Sequence, residues 1–243
     1  MIRKAALALT ALTALVAIPA FAGPPYDTDD PEPTDFRHWE VYGFVAGSGF
    51  RGTTDGALGL DLNYGAVPDV QLTATLPMAF SHDQATRIGA GNVELGVKYR
   101  FFHNDAAGVA FAAFPRVIVP SGGHRFGTGR AAFQLPLWAQ KDMGHWSLFG
   151  GGGYTFNPGT GNRDYWKGGV ALTREVTPRL TLGAEATHQG PDARDAGAAT
   201  TLGLGGTWRI RKPMSLLFSA GPGFERGTRQ AQFHAYAALL LNF

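Results

Sequence analysis

From Ala90 to Phe102 the chain alternates: Val93, Leu95, Val97, Tyr99 and Phe101 share one parity, and Asn92, Glu94, Gly96, Lys98 and Arg100 share the other. Successive side chains of a strand point to opposite faces, so this stretch predicts a strand with one apolar and one charged face. Strands of soluble sandwiches usually end after about 5–6 residues, whereas a tilted membrane strand needs about 9–11. The length of this run, and the aromatics closing its apolar face, predict a strand whose apolar side meets lipid and whose charged side meets a wet lumen.

The same alternation recurs along the chain. Leu58, Leu60, Leu62 and Tyr64 oppose Gly59, Asp61, Asn63 and Gly65; after a turn at Val67-Pro68-Asp69, Val70, Leu72, Ala74 and Leu76 oppose Gln71, Thr73 and Thr75. Further runs follow at 109–119, 131–140, 146–156, around Val170 and Leu172, at 180–186, 202–208 and 214–220, and at 233–243. In Trp39–Phe50 both parities carry aromatics or valine, so its two faces are not distinguished. The pattern predicts about twelve strands, joined alternately by short turns and longer loops. Outer-membrane barrels combine an even strand number with short periplasmic turns and longer outer loops. Tyr64, Tyr99, Phe101, Trp146, Trp208 and Phe243 all fall beside the predicted periplasmic turns, as an aromatic girdle does. The expected fold is all-β: a transmembrane antiparallel up-and-down β-barrel of about 12 strands, spanning 37–243.

Arg3 and Lys4, the apolar run Ala5–Ile18 and the small-x-small triplet Ala20-Phe21-Ala22 predict a signal peptide over 1–22, cleaved before Gly23. This places the protein in the cell outer membrane of a Gram-negative organism. Without Arg3 and Lys4 the formal charge of +2 falls to zero, so no nucleic-acid partner is expected. There is no cysteine and no His spacing of the metal-binding kind, and no metal or cofactor is expected. Residues 23–36, with Pro24, Pro25, Pro31 and Pro33 among Asp27, Asp29, Asp30 and Glu32, lack the spacing of a calcium loop and read as a solvated periplasmic lead, with a lumen-inserted plug as the minor alternative. Gly47-Ser48-Gly49-Phe50-Arg51-Gly52 matches a dinucleotide glycine pattern, but no helix follows it and the loop reading prevails.

Three stretches carry a family resemblance: Pro24–Pro33 followed by Arg37-His38-Trp39-Glu40, Leu62–Leu72, and Glu94–Arg100. They resemble the outer-membrane transporters grouped as the MetA-pathway of phenol degradation family. The resemblance covers the first half of the mature chain and implies passage of aromatic or other small hydrophobic compounds.

Inward parity gathers Asp61, Glu94, Lys98, Arg100, Arg116, Lys167, Glu185 and Arg209, with Glu175 beside them. These are expected to form a charged lumen constriction that selects solutes, or else a set of salt bridges that brace a closed barrel. Glu94, Lys98 and Arg100 are expected to cluster, with Arg100 pairing Glu94 and Arg116 inward on the next strand. A lipid-modifying enzyme is the rival class. His188 faces outward near an outer rim, but no serine shares its face, Ser81 and His82 point apart, and Ser121 and His124 fall in a loop, so no nucleophile–base pair is expected. The function expected is passive passage of small molecules. The partners expected are outer-membrane lipid and lipopolysaccharide, the barrel assembly machinery and a small-molecule solute. The alternating last strand ends in Phe243, which is expected to serve as the assembly signal.

Overall fold

The computed structural model describes residues 25–50, 52–123, 125–225 and 230–243. The predicted signal peptide, Pro24, Arg51 and His124 lie outside the described residues.

The strands are β1 (Trp39–Phe50), β2 (Thr53–Val67), β3 (Val70–His82), β4 (Thr86–Ala90), β5 (Val93–Asn104), β6 (Val109–Ala113), β7 (Arg116–Val119) and β8 (Ala132–Met143). They continue as β9 (Trp146–Phe156), β10 (Tyr165–Thr177), β11 (Leu180–Gln189), β12 (Ala199–Arg211), β13 (Met214–Glu225) and β14 (Gln230–Asn242). Each pairs antiparallel with its neighbours, and β1 pairs with β14, closing the sheet on itself. β4 and β5 act as one stave, as do β6 and β7, so the closed barrel has the twelve staves that the alternation predicts. A closed barrel is the sheet form that leaves no unpaired edge for lipid to meet.

Both interruptions have local causes. Against β3, Met78 pairs with Ala90 and Thr75 with Glu94, so Gly91 and Asn92 sit in a one-residue bulge of the β4–β5 stave. Between β6 and β7 stands Pro115, which has no N–H to give to a ladder. Its carbonyl still accepts from Val97 N at 3.1 Å, and the pairing register of β5 is the same on both sides of the gap.

The parity holds through the wall. Leu95, Val97, Leu182, Leu202, Leu204 and Leu239 are exposed on the outer face, whereas Glu94, Lys98, Gln134, Thr173 and Glu185 are buried on the inner one. The structure also resolves β1: Tyr42 and Phe44 turn inward and are buried, and Val45 faces out.

The strict alternation of short and long connections is corrected at the outer rim. β1 and β2 pair to their ends, Gly49 with Thr54 and Phe50 with Thr53, so the connection between them is short. β3 and β4 likewise pair out to His82 and Thr86. These strands project beyond the apolar band. There, nothing demands an apolar face, so the ladder continues while the hydrophobic alternation stops.

Candidate functional site

Four cations of the wall reach into the lumen: Lys98 and Arg100 on β5, Arg116 on β7 and Lys167 on β10. Each meets a carboxylate of the segment before the barrel. Lys98 Nζ lies 2.9 Å from Asp29 Oδ1, and Arg116 Nη2 lies 2.9 Å from Asp29 Oδ2. Lys167 Nζ is 2.6 Å from Asp27 Oδ1, and Arg100 pairs with Glu32. Lys98 also lies 3.7 Å from Asp30. The lead therefore occupies the lumen, the minor alternative of its sequence reading, and not the periplasm as a solvated tail. Thr28 and Asp29 are each 1% exposed. Proline and carboxylate content marked 25–34 as unable to form a core of its own. In place of such a core it finds wall cations, which a low-dielectric interior makes strong partners.

The other side of the wall holds the lead differently. Glu185 on β11 accepts the backbone N–H groups of Asp27 and Thr28, each at 3.0 Å, and the Thr28 hydroxyl at 3.1 Å. Ser219 on β13 donates to the Pro25 carbonyl at 2.5 Å. Near the periplasmic end, Gln71 Oε1 on β3 accepts Thr34 N at 2.7 Å. The wall makes room as well. A Cβ on Gly169 would overlap Thr28 Oγ1, and one on Gly183 would lie 2.7 Å from the Tyr26 hydroxyl. Residues 25–34 are thus seated by side-chain contacts in a groove shaped to take them.

A cavity of 190 Å³ remains beside Asp29, bounded by Tyr42, Asp61, Glu94, Lys98, Phe114 and Arg116 among others. Liquid water occupies about 30 Å³ per molecule, so the space exceeds that of a single solvent molecule. Phe114 turns inward at the β6–β7 break, with the Arg116 guanidinium 3.9 Å and the Lys98 ammonium 5.1 Å from its ring centroid. Tyr42, Phe44, Leu217 and Ala238 form an apolar strip of the lumen, with Tyr236 packed on it.

The expected constriction residues divide. Glu94, Lys98, Arg116, Lys167 and Glu185 come together around the lead, Asp61 lines the cavity and accepts the Thr75 hydroxyl at 3.1 Å, and Arg100 lies lower. Arg209 does not belong: it is exposed at the periplasmic end of β12, and its guanidinium donates to the Pro178 carbonyl at 3.2 Å. Glu175 is also exposed there, 3.7 Å from His145. The pairing of Glu94 with Arg100 is corrected too. Glu94 pairs with Arg116 at 2.9 Å, and Arg100 with Asp69 at 2.7 Å. Six residues of strand separate positions 94 and 100 by about 20 Å, beyond the reach of either side chain. Phe243 is exposed at the closing seam, where its backbone exchanges hydrogen bonds with Trp39 at 2.7 and 3.0 Å. Sequence reasoning missed Asp27, Thr28, Asp29 and Phe114. The available signal was the match between a run of lead carboxylates and an inward set of cations.

On the outer rim a hydroxyl does share the face of His188: Thr200 Oγ1 lies 2.8 Å from Nδ1. His82 meets Thr86 in the same way at 2.9 Å, so this is a recurring cross-strand contact of the barrel. Among the described residues no cluster of His, Asp and Glu has metal-binding geometry.

The architecture is that of outer-membrane β-barrels. Across 87% of the chain and 99% of theirs, the coordinates superpose on an outer membrane channel from Pseudomonas putida F1 with a TM-score of 0.69 at 14% identity. The NanC porin gives 0.59 at 8% identity over 83% of this chain and 98% of its own. The CymD monoaromatic hydrocarbon channel gives 0.50 at 8% identity, over 87% and 89%. The profile of the family described as "Putative MetA-pathway of phenol degradation" matches residues 40–241, and the chain belongs to that family. No curated protein matches the sequence.

Proposed function

We propose that the protein is an outer-membrane channel through which small molecules, aromatic and hydrophobic compounds among them, pass passively, with the N-terminal lead as its plug. The observation that carries this reading is the lumen: polar, charged and lined on one side by Tyr42, Phe44 and Tyr236, yet filled by a segment that wall side chains hold and that forms no strand among the described residues. A barrel braced permanently shut has no need of a separate, removable filling. The family and the titles of the similar structures, channels and a porin among them, support the same reading. A lipid-modifying enzyme is disfavoured because His188 and Thr200 make the same cross-strand contact that His82 and Thr86 make.

On this reading residues 1–22 are removed on export, and Phe243 presents the end of the last strand to the barrel assembly machinery. Lipid and lipopolysaccharide surround the wall, and nucleic acid is no partner. The test is planar-bilayer conductance of the refolded mature chain and of a variant lacking residues 25–34. A small or intermittent conductance that becomes large and steady without the lead is expected. A variant that folds, shown by a heat-modifiable band, and stays closed to ions and solutes would overturn the reading.

A further inference from the structure

Asp29 is held as a ligand is held. Its two carboxylate oxygens go to two different cations, Lys98 and Arg116, both at 2.9 Å. Both cations are 5% exposed and lie over the face of Phe114. Both ion pairs of Lys98 are made to the lead, to Asp29 and Asp30. The 190 Å³ cavity opens directly beside this clamp, with Phe114 and Tyr42 in its lining. Two cations converging on one planar anion, with aromatic faces next to it, describe a recognition site for a carboxylate attached to a flat apolar body.

The charge balance points the same way. Asp27, Asp29, Asp30 and Glu32 belong to the lead, and Lys98, Arg100, Arg116 and Lys167 to the wall. When the lead leaves, its carboxylates leave the lumen with it: Lys98 loses both of its ion pairs and Arg116 loses Asp29, while Arg116 keeps Glu94 and Arg100 keeps Asp69. The wall carboxylates nearest the clamp keep partners in the wall: Glu94 has Arg116, Asp61 the Thr75 hydroxyl, and Glu40 the Tyr42 hydroxyl. An incoming anion then takes the place of Asp29.

We infer that Lys98 and Arg116, with Phe114, form a binding site for small aromatic carboxylates, which Asp29 occupies as a tethered stand-in while the lumen is plugged. This rests on the channel reading and names the solute class for it. Entry of such a solute and departure of the lead are coupled, because both use the same two cations and only one carboxylate fits between them.

The test uses the full mature chain with Asp29→Ala, which empties the clamp, and the same chain with Lys98→Met added; Asp29→Asn replaces Asp29→Ala should the latter not give a heat-modifiable band. Benzoate binding is measured by calorimetry on the detergent-folded protein, and benzoate block of current is measured in planar bilayers. Benzoate is expected to bind Asp29→Ala and to reduce its current, whereas phenol and inorganic phosphate at the same concentration do neither to a comparable degree. Adding Lys98→Met should weaken benzoate binding about tenfold or more, the size of one lost charge-assisted hydrogen bond. Conductance without benzoate binding, equal effects of benzoate and phenol, preference for phosphate, or a Lys98→Met change that leaves affinity alone would each overturn the site. Benzoate binding in a barrel that never conducts would uphold the site and overturn the channel reading.

Discussion

The two sides of the wall that clasp the lead work by different physics. On one side, β5 and β7 present Lys98, Arg100 and Arg116 to Asp29, Asp30 and Glu32. On the other, β10, β11 and β13 present a shelf at Gly169 and Gly183, the Glu185 carboxylate as an acceptor of two backbone N–H groups, the Ser219 hydroxyl and a single cation, Lys167, to Asp27. The first side recognises charge and would bind any anion of suitable shape. The second reads chiefly the backbone path and the small Thr28 side chain, with Lys167 adding one charge contact to Asp27. A plug that must be both specific and removable benefits from this division. The glycine side positions it, and the charged side couples its departure to what enters.

The largest effect should come from Asp29→Ala. Removing one partner of a buried ion pair typically costs about 3–5 kcal/mol, because the remaining charges stay desolvated. In this barrel they escape that cost when the lead leaves and the lumen floods. The expected result is a large rise in single-channel conductance, together with cleavage of residues 25–34 by an added protease that leaves the wild-type lead intact. If the lead stays protected, the charged side is not what retains it.

Leu95→Arg tests the register on which that side depends, since Leu95 stands between Glu94 and Gly96 on the outer face of β5. An arginine facing lipid near the midplane should destabilise the barrel by about 2–4 kcal/mol. Urea unfolding in lipid vesicles measures this. A change near zero would put position 95 in the lumen and Lys98 out of it.

Gly169→Val addresses the other side. The added side chain meets Thr28 Oγ1 and lies within 3 Å of the Thr187 methyl group. Overpacking of this kind costs about 1–3 kcal/mol, and here displacing the lead relieves it. Conductance should rise less than with Asp29→Ala, and the rise should be insensitive to ionic strength, since the defect is steric. A salt-dependent phenotype would merge the two sides into one electrostatic mechanism.

The smallest effect is expected from Glu185→Gln. The amide keeps the shape and one acceptor oxygen for Asp27 N and Thr28 N but loses the charge, weakening the contacts by about 1 kcal/mol. Brief openings should become more frequent without a change in the open level. A fully open channel would make Glu185, not the Lys98–Arg116 clamp, the principal anchor.

The wall of the barrel is legible in the chain alone. Apolar and polar residues alternate with period two wherever one face meets lipid and the other water, so Leu95, Leu182, Leu204 and their neighbours announced the barrel, its strand number and most of its inward residues. The signal failed where its cause is absent. Beyond the apolar band β1 to β4 keep their ladders without alternation, and in Trp39–Phe50 the inward Tyr42 and Phe44 are apolar because they face other luminal apolar groups, not lipid. The contents of the lumen emerge only once the barrel is closed. Parity states that Glu94, Lys98, Arg100 and Arg116 face inward, but not which of them meet; that follows from stagger between staves, which sets Arg116 against Glu94 and leaves Arg100 to Asp69. Nor does parity say where an unpatterned segment goes. Residues 25–34 carry no periodicity to read. They lie in the barrel because closing the wall brings Lys98, Arg116, Glu185 and Gly169, distant along the chain, around one path of matching charge and width.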